Sequence, residues 1–197
     1  MKKSFAFILA AIVLLTVSGC GNQKQTSEQK GDITSAQGGS DDSSKDSKSI
    51  DLKPQENDLW NNDKSRQLES FMKDWQATMH QEYQSYYPGK DVSYYGITYP
   101  SSLGSGNIAV NDHKVSMGWS NDGLGKHDFN VVAIYSDIDH AKMGAHLYFF
   151  AIASNKKPIV LITEQNQGTP DMLIHFNPTK NTDLEQGFEK IANSNVQ

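Results

Sequence analysis

Hydrophobic spacing changes its period once along this chain, and that change limits the folds open to it. From Leu59 to Tyr83, apolar residues recur every three or four positions, which predicts an amphipathic helix that ends at Pro88-Gly89. Beyond Gly89 the spacing becomes two, as in strands that bury one face. A chain with this order of patterns is expected to pack helices on one face of a sheet.

The predicted helix begins at Asn57 or Asp58, either of which can cap it. The side chains expected to face the core are Leu59, Trp60, Leu68, Phe71, Met72, Trp75, Met79 and Tyr83. The side chains expected to face solvent are Lys64, Arg66, Glu69, Lys73 and Glu82. A single broad apolar stripe of this kind is typical of a helix that covers a sheet.

Short segments with strand character follow Gly89. They comprise residues 108–110, 114–119, 129–136, 145–153, 159–163 and 172–177. Asn111-Asp112 suits a tight hairpin, and Asn181 or Thr182 can cap a last helix that runs to about Asn193. The predicted fold class is α+β, with a long N-terminal amphipathic helix and a C-terminal helix packed on a five- to six-stranded, mostly antiparallel sheet.

The N-terminus has the pattern of a secretory signal. Lys2 and Lys3 precede an apolar run over residues 5–17, which is shorter than a membrane-spanning helix. The run ends in Val17-Ser18-Gly19-Cys20, which resembles the lipobox of bacterial lipoproteins. The resemblance implies cleavage between Gly19 and Cys20 and a diacylglyceryl thioether on Cys20, so two acyl chains would hold the protein on the extracytoplasmic face of the cell membrane. An ordinary signal peptide and an uncleaved anchor helix are the alternatives.

Residues 20–56 separate this anchor from a single domain at 57–197. The segment is rich in Ser, Asp, Lys, Gln and Gly and contains no aromatic residue. Such a composition buries too little apolar surface to offset chain entropy, which predicts a disordered tether. The chain has one cysteine, so no intramolecular disulfide can form.

A resemblance to a known family begins within the predicted helix. The residues that carry it are Leu59-Trp60-Asn61, Leu68, Phe71-Met72, Trp75, Met79, Tyr83, Tyr86, Pro88-Gly89 and Tyr95-Gly96. They resemble the start of the domain-of-unknown-function 4767 family, which is found in lipoproteins of Gram-positive bacteria. The resemblance covers about residues 58–195. It implies the location and the domain limits, and no catalytic residue, because the family carries no established activity.

Tyrosines concentrate between residues 83 and 99. A tyrosine joins a ring that stacks to a hydroxyl that hydrogen-bonds, which suits sugars, peptides and protein surfaces. The predicted binding surface comprises Tyr86, Tyr87, Tyr94, Tyr95, Tyr99 and Trp119. The alternative is that these rings fill the corner between helix and sheet. Neighbours on a strand point to opposite faces, so at most one of Tyr94 and Tyr95 is expected to face the core.

Composition and motifs restrict the chemistry. The formal net charge is −5, and an acidic chain without clustered Lys and Arg argues against nucleic acid. No catalytic residues, metal ligands or cofactors are predicted. The expected partners are the membrane through Cys20 and a neutral glycan, a peptide or an envelope protein. The predicted function is a binding module at the cell envelope, and the alternative is a small envelope hydrolase that uses Asp137, Asp139 and histidines such as His140 and His146.

Overall fold

The computed structural model describes residues 58–195. The helices are α1 (Asn62–Met79) and α2 (Thr182–Ala192), and a short 3-10 turn covers Leu103–Ser105. The strands are β1 (Gln84–Tyr86), β2 (Val92–Tyr94), β3 (Ile97–Tyr99), β4 (Ile108–Val110), β5 (His113–Lys114), β6 (Met117–Trp119), β7 (Phe129–Ser136), β8 (Leu147–Ala153), β9 (Pro158–Thr163) and β10 (Ile174–Pro178). Neither helix in this part of the chain is long and apolar enough to cross a bilayer. Cys20, Gly19 and the predicted tether lie outside the described residues.

Eight strands form one mixed sheet in the order β1-β7-β8-β9-β10-β4-β5, and β6 also pairs with β7. The pairs β6–β7 and β4–β10 are parallel, and the other pairs are antiparallel. Strands β2 and β3 form a separate hairpin. The long central strand β8 is buried along almost its whole length, because both faces of the sheet are covered.

Each face of the sheet has its own hydrophobic cluster. Residues of α1 and α2 pack on one face, where Trp60, Leu68 and Phe188 meet Phe150 of β8. The β2–β3 hairpin covers the opposite face, where Tyr99 meets Phe149. Because successive side chains of β8 point to opposite faces of the sheet, Phe149 and Phe150 lie in different layers. The domain is a helix layer, a sheet and a hairpin layer.

The predicted long N-terminal helix is wrong. Helix α1 begins after Asn61, whose side chain accepts the N–H of Lys64, and it ends at Met79 after 18 residues. His80 takes the left-handed conformation that stops it, with φ at 54°. Tyr83 and Tyr86 continue the helical spacing by coincidence, but Tyr83 lies in irregular chain after the helix and Tyr86 ends strand β1.

The predicted sheet has too few strands. Strands β1, β5 and β6 have only two or three residues, and a period of two cannot be recognised over so short a run. Strand β1 lies inside the segment predicted to be helical, and the segment 114–119 divides between β5 and β6. The parallel pair β4–β10 joins segments that are distant in sequence, and local spacing contains no information about such a pair. Helix α2 and the hairpin at Asn111-Asp112, where both φ angles are positive, lie where the sequence places them.

Lys64 was expected to face solvent, and it is buried. Its ammonium donates to the carbonyl of Ala192 at 2.7 Å and to that of Leu59 at 3.0 Å. A cation at the last carbonyls of a helix is favourable, because those carbonyls have no partner within the helix. Burial lowers the pKa of Lys64. The residue therefore joins the start of α1 to the end of α2.

Candidate functional site

One edge of the sheet is interrupted, and a cleft opens at the interruption. Strand β8 pairs with one side of β7, so β6 and β1 must share the other side. Strand β6 ends opposite Val131, and β1 ends opposite Ile134. Val132 and Ala133 lie between them without a strand partner on that side. We call the space above these two residues the edge cleft.

The edge cleft has a volume of about 500 Å³, which is in the range of small-molecule sites. Its floor is formed by Val132 and Ala133, which both belong to the helix-side cluster. Consecutive strand residues normally point to opposite faces, but a β-bulge between Val131 and Ala133 breaks the alternation. The bulge therefore gives the cleft a smooth aliphatic floor. The remaining lining residues are Trp60, Asn62, Ser65, Arg66, Leu68, Glu69, Ser85, Tyr86, Tyr87, Lys90, Trp119, Asn121, Ile134 and Tyr135.

Trp119 forms one wall of the edge cleft, and two sets of contacts fix it. Its indole N–H donates to Oδ1 of Asn121 at 2.8 Å. The Asp122 carbonyl, in the loop that follows Trp119, accepts hydrogen bonds from the N–H groups of Leu59 and Trp60 at 2.9 and 2.8 Å. The Trp119 wall is thus tied to the chain that leads into α1, which forms the opposite side of the cleft.

Tyr87 and Lys90 form another wall, and a tight turn sets their positions. The two residues exchange backbone hydrogen bonds of 3.0 and 2.7 Å around Pro88-Gly89. Proline followed by a glycine with φ at 94° is typical of a type II turn. The Lys90 ammonium lies 5.2 Å from the centre of the Tyr86 ring, which is within cation–π range. Tyr87 is 51% exposed, so its ring is available to a ligand.

Charges around the edge cleft balance. Arg66 and Lys90 are cationic, and Glu69 is anionic. Arg66 also forms an ion pair with Asp63 on the same helix. Burial and the nearby Glu69 carboxylate raise the pKa of Tyr135 on the floor side. The site therefore offers hydrogen-bonding groups of both signs without a net charge.

The structure brings three of the six predicted surface residues together and separates the others. Tyr86, Tyr87 and Trp119 all line the edge cleft, although Tyr86 is mostly buried and its hydroxyl donates to Oδ2 of Asp139 at 3.1 Å. Tyr94 and Tyr99 are core residues of the hairpin layer. Tyr95 is exposed at the hairpin turn. As expected, only one of Tyr94 and Tyr95 faces the core.

Of the Asp and His residues of the alternative hydrolase prediction, only Asp137 and His146 come together. His146 binds Asp137 through Nδ1 at 2.8 Å and Glu164 through Nε2 at 2.9 Å. The hydrogen bond with Asp137, together with the charges of both acids, raises the pKa of His146 against an opposing effect of burial. Both ring nitrogens are occupied by carboxylates, so neither is free to accept a proton from water or a nucleophile.

Asp139 and His140 lie apart from His146 and its partners. Asp139 binds Tyr86, whereas His140 lies 3.3 Å from Nε2 of Gln84 and 3.5 Å from Glu82. Over residues 58–195, no group of three or more histidine, cysteine, aspartate or glutamate side chains is arranged to hold a metal ion. The loop 137–146 is therefore organised by pairwise polar contacts.

Comparison with known proteins identifies the family. A family described as a domain of unknown function, DUF4767, matches residues 57–192, which is more than half of the chain. The chain belongs to this family. No curated protein and no solved structure matches it. The predicted membership is confirmed, and its limits agree closely with the described part of the chain.

Several residues of the DUF4767 edge cleft were missed by the sequence analysis. They are Asn62, Ser65, Arg66, Glu69, Ser85, Lys90, Asn121, Val132 and Ala133. Arg66 and Glu69 were correctly expected on the exposed side of α1, but their position over a cleft depends on where β1 and β6 end. Only the motif Tyr87-Pro88-Gly89-Lys90 carried a local signal, since Pro-Gly predicts the turn that pairs its flanking residues.

Proposed function

We propose that this protein is a lipid-anchored extracytoplasmic binding module of the cell envelope, with the edge cleft as its ligand site. The anchor is the diacylglyceryl group predicted on Cys20, and the tether at 21–56 carries the domain away from the lipid surface. The observation that carries the binding function is the convergence of Tyr87 and Trp119 on one preformed cleft.

Three features of the edge cleft support ligand binding. The Trp119 indole is held by a hydrogen bond, so few of its rotamers are lost when a ligand packs on it, and a tight turn fixes the backbone that carries Tyr87. The aliphatic floor and aromatic walls supply apolar surface, and Asn62, Ser85 and Asn121 supply polar groups that can orient a ligand. A hydrolase is not proposed as a second function, because the His146 nitrogens are both engaged.

A photo-crosslinking amino acid tests the binding site on intact cells. We would place p-benzoylphenylalanine at position 87 in the edge cleft and, as a matched control, at position 95. Tyr95 is a suitable control because it is 47% exposed, close to the 51% of Tyr87, and does not line the cleft. Capture of an envelope component at position 87 and not at 95 is the expected result. Equal capture at the two positions, or capture at neither, would contradict the proposed site.

The anchor is tested separately with Cys20→Ala in the full chain. Without the thiol, no thioether can form, so the protein should accumulate as a precursor or be released to the medium. Cell fractionation combined with mass spectrometry of the N-terminus measures both outcomes. Membrane retention of a mature Cys20→Ala form would rule out lipidation as the anchor.

A further inference from the structure

The shape of the edge cleft restricts the backbone of any ligand. Only Val132 and Ala133 separate the end of β6 from the end of β1, which leaves a gap of about 7 Å at 3.3 Å per residue. A peptide that binds by strand addition needs a longer run of free sheet edge. Since β1 and β6 already cover both sides of the gap, an extended peptide cannot pair along β7. The edge cleft therefore favours a ligand that enters as a compact ring or side group.

The charges of the edge cleft restrict the ligand further. Arg66 and Lys90 are offset by Glu69 and by Asp63, which pairs with Arg66. A strongly anionic polymer would meet Glu69 and the net negative charge of the chain, and a cation would meet Arg66 and Lys90. A neutral ligand with hydroxyl or amide groups can use all of these side chains as hydrogen-bonding partners without an unpaired charge.

The aromatic walls identify the class of neutral ligand. A pyranose ring has an apolar face of C–H bonds and a rim of hydroxyls, so it can pack its face on an aromatic ring while its rim bonds to polar side chains. Trp119 and Tyr87 provide the aromatic surfaces, and Asn121, held beside Trp119, lies at the polar rim. The Val132–Ala133 floor has no bulky side chain that would fill the space between the walls.

We propose that the edge cleft binds a short stretch of neutral glycan, with a sugar ring packed against Trp119 and Tyr87. This inference rests on the proposed binding function and assigns its ligand class. Its basis is the combination of a two-residue gap in the sheet edge, balanced charges and two aromatic rings that line the same cleft. A peptide ligand would use the same aromatic rings, so it is the competing outcome of the test.

The test measures binding of defined probes to the full chain in detergent. The saccharide probes are chitotriose, cellotriose and maltotriose, and the comparison probes are a capped uncharged hexapeptide and poly(glycerol phosphate). Saturation-transfer NMR detects binding, and tryptophan fluorescence gives the dissociation constant. We expect at least one trisaccharide to bind at millimolar concentration or below. Trp119→Ala and Tyr87→Ala should each weaken it about tenfold or more, and Tyr95→Ala should leave it within about twofold.

Variants that fail to fold are recognised by circular dichroism, and Trp119→Phe then replaces Trp119→Ala, with a smaller loss expected because a smaller ring remains. Failure of every trisaccharide to bind, or equal binding to Tyr87→Ala and wild type, would overturn the glycan assignment. Binding of the hexapeptide alone, with loss in Tyr87→Ala, would overturn that assignment and leave the proposed binding function intact. If the crosslinker at position 87 also captured nothing on cells, both proposals would fail.

Discussion

Two Tyr-Tyr pairs lie close together in the sequence, and the structure uses them differently. The first ring of each pair, that of Tyr86 or Tyr94, is buried. The second ring, that of Tyr87 or Tyr95, is about half exposed. The exposed ring of the first pair faces a cleft with Trp119, whereas the exposed ring of the second packs edge-on against its buried neighbour. Exposure of an aromatic ring alone therefore does not identify a binding site. What distinguishes Tyr87 is the set of side chains that converge around it.

The buried members of the two pairs also differ. The Tyr94 hydroxyl is inside the core, 2.6 Å from the carbonyl of Ala145 and 3.1 Å from that of Thr163. The Tyr86 hydroxyl lies nearer the surface, where it donates a hydrogen bond to the exposed Asp139 carboxylate. Burial, followed by the Asp139 hydrogen bond, raises the pKa of Tyr86 to about 12. Both buried rings thus belong to the hairpin-layer cluster, and only Tyr86 also lines the edge cleft.

The largest predicted effect on the free energy of unfolding separates the buried Tyr94 from its exposed neighbour Tyr95. Tyr94→Ala should lower the free energy of unfolding by about 3–5 kcal/mol, because it leaves a cavity in the hairpin-layer cluster. Tyr95→Ala should cost no more than about 1 kcal/mol, since it removes an edge contact with Tyr94 and a long hydrogen bond of 3.4 Å from the Ala145 N–H. Urea unfolding measures both values. Similar losses for the two variants would show that the second pair acts as a single structural unit.

This division of the tyrosines was only partly accessible from the sequence. Alternation predicted that at most one of Tyr94 and Tyr95 would face the core, and it located the long strands β7 and β8. It could not predict the bulge at Val132, because the pairing that defines a bulge involves residues of β8 far along the chain. The edge cleft depends on that bulge and on where β1 and β6 end, so its polar residues were missed.

The helix prediction failed for a related reason. Tyr83 and Tyr86 fit both a helical spacing after Met79 and an extended chain that leads into β1. Tertiary contacts decide between them: Tyr83 packs on Trp75 and Tyr148, and Tyr86 pairs with Ile134 of β7. A local pattern contains neither partner. Residue type predicted Tyr86, Tyr87 and Trp119 as surface candidates, and long-range pairing determines that these three meet at the edge cleft.

A second prediction compares the two buried hydroxyls. Tyr94→Phe should lower the free energy of unfolding by about 1–2 kcal/mol, because the Ala145 carbonyl loses a buried donor. Tyr86→Phe should cost about 0.5–1 kcal/mol, since Asp139 is exposed and can bond to water instead. Both are measured by urea unfolding with the ring itself retained. A larger loss for Tyr86→Phe would mean that the hydrogen bond to Asp139 is needed to hold Tyr86 in place beside the edge cleft.

A third prediction concerns pH and the contacts next to Tyr94. The pKa of His146 is raised from 6.5 in the folded chain, chiefly by the Asp137 hydrogen bond. Below about pH 6.5 the ring is protonated in both states, so its stabilising contribution is complete. As the pH rises through the folded pKa, the folded state also loses the proton and the contribution disappears.

The measurement is the melting temperature of wild type and His146→Gln at a series of pH values. We expect the advantage of wild type to decrease as the pH rises above about 6.5, by at most about 1 kcal/mol because the ring is partly exposed and its interactions are screened by solvent. His113→Gln, at an exposed hairpin position, is the control for the replacement of a histidine by glutamine. An advantage that grew with pH would mean that His146 is neutral in the fold.

The smallest expected effect on stability is that of Tyr87→Ala, and it decides whether the Tyr87 ring supports the fold. Tyr87→Ala should change the free energy of unfolding by no more than about 0.5 kcal/mol, because the ring is half exposed and its turn is held by backbone hydrogen bonds and Pro88-Gly89. Urea unfolding of this variant beside Tyr95→Ala provides the measurement. A loss above about 1 kcal/mol would mean that Tyr87 supports the fold as Tyr94 does. A near-zero loss would show that the Tyr87 ring contributes little to the fold, as expected of an exposed ring that lines the edge cleft and serves ligand contact.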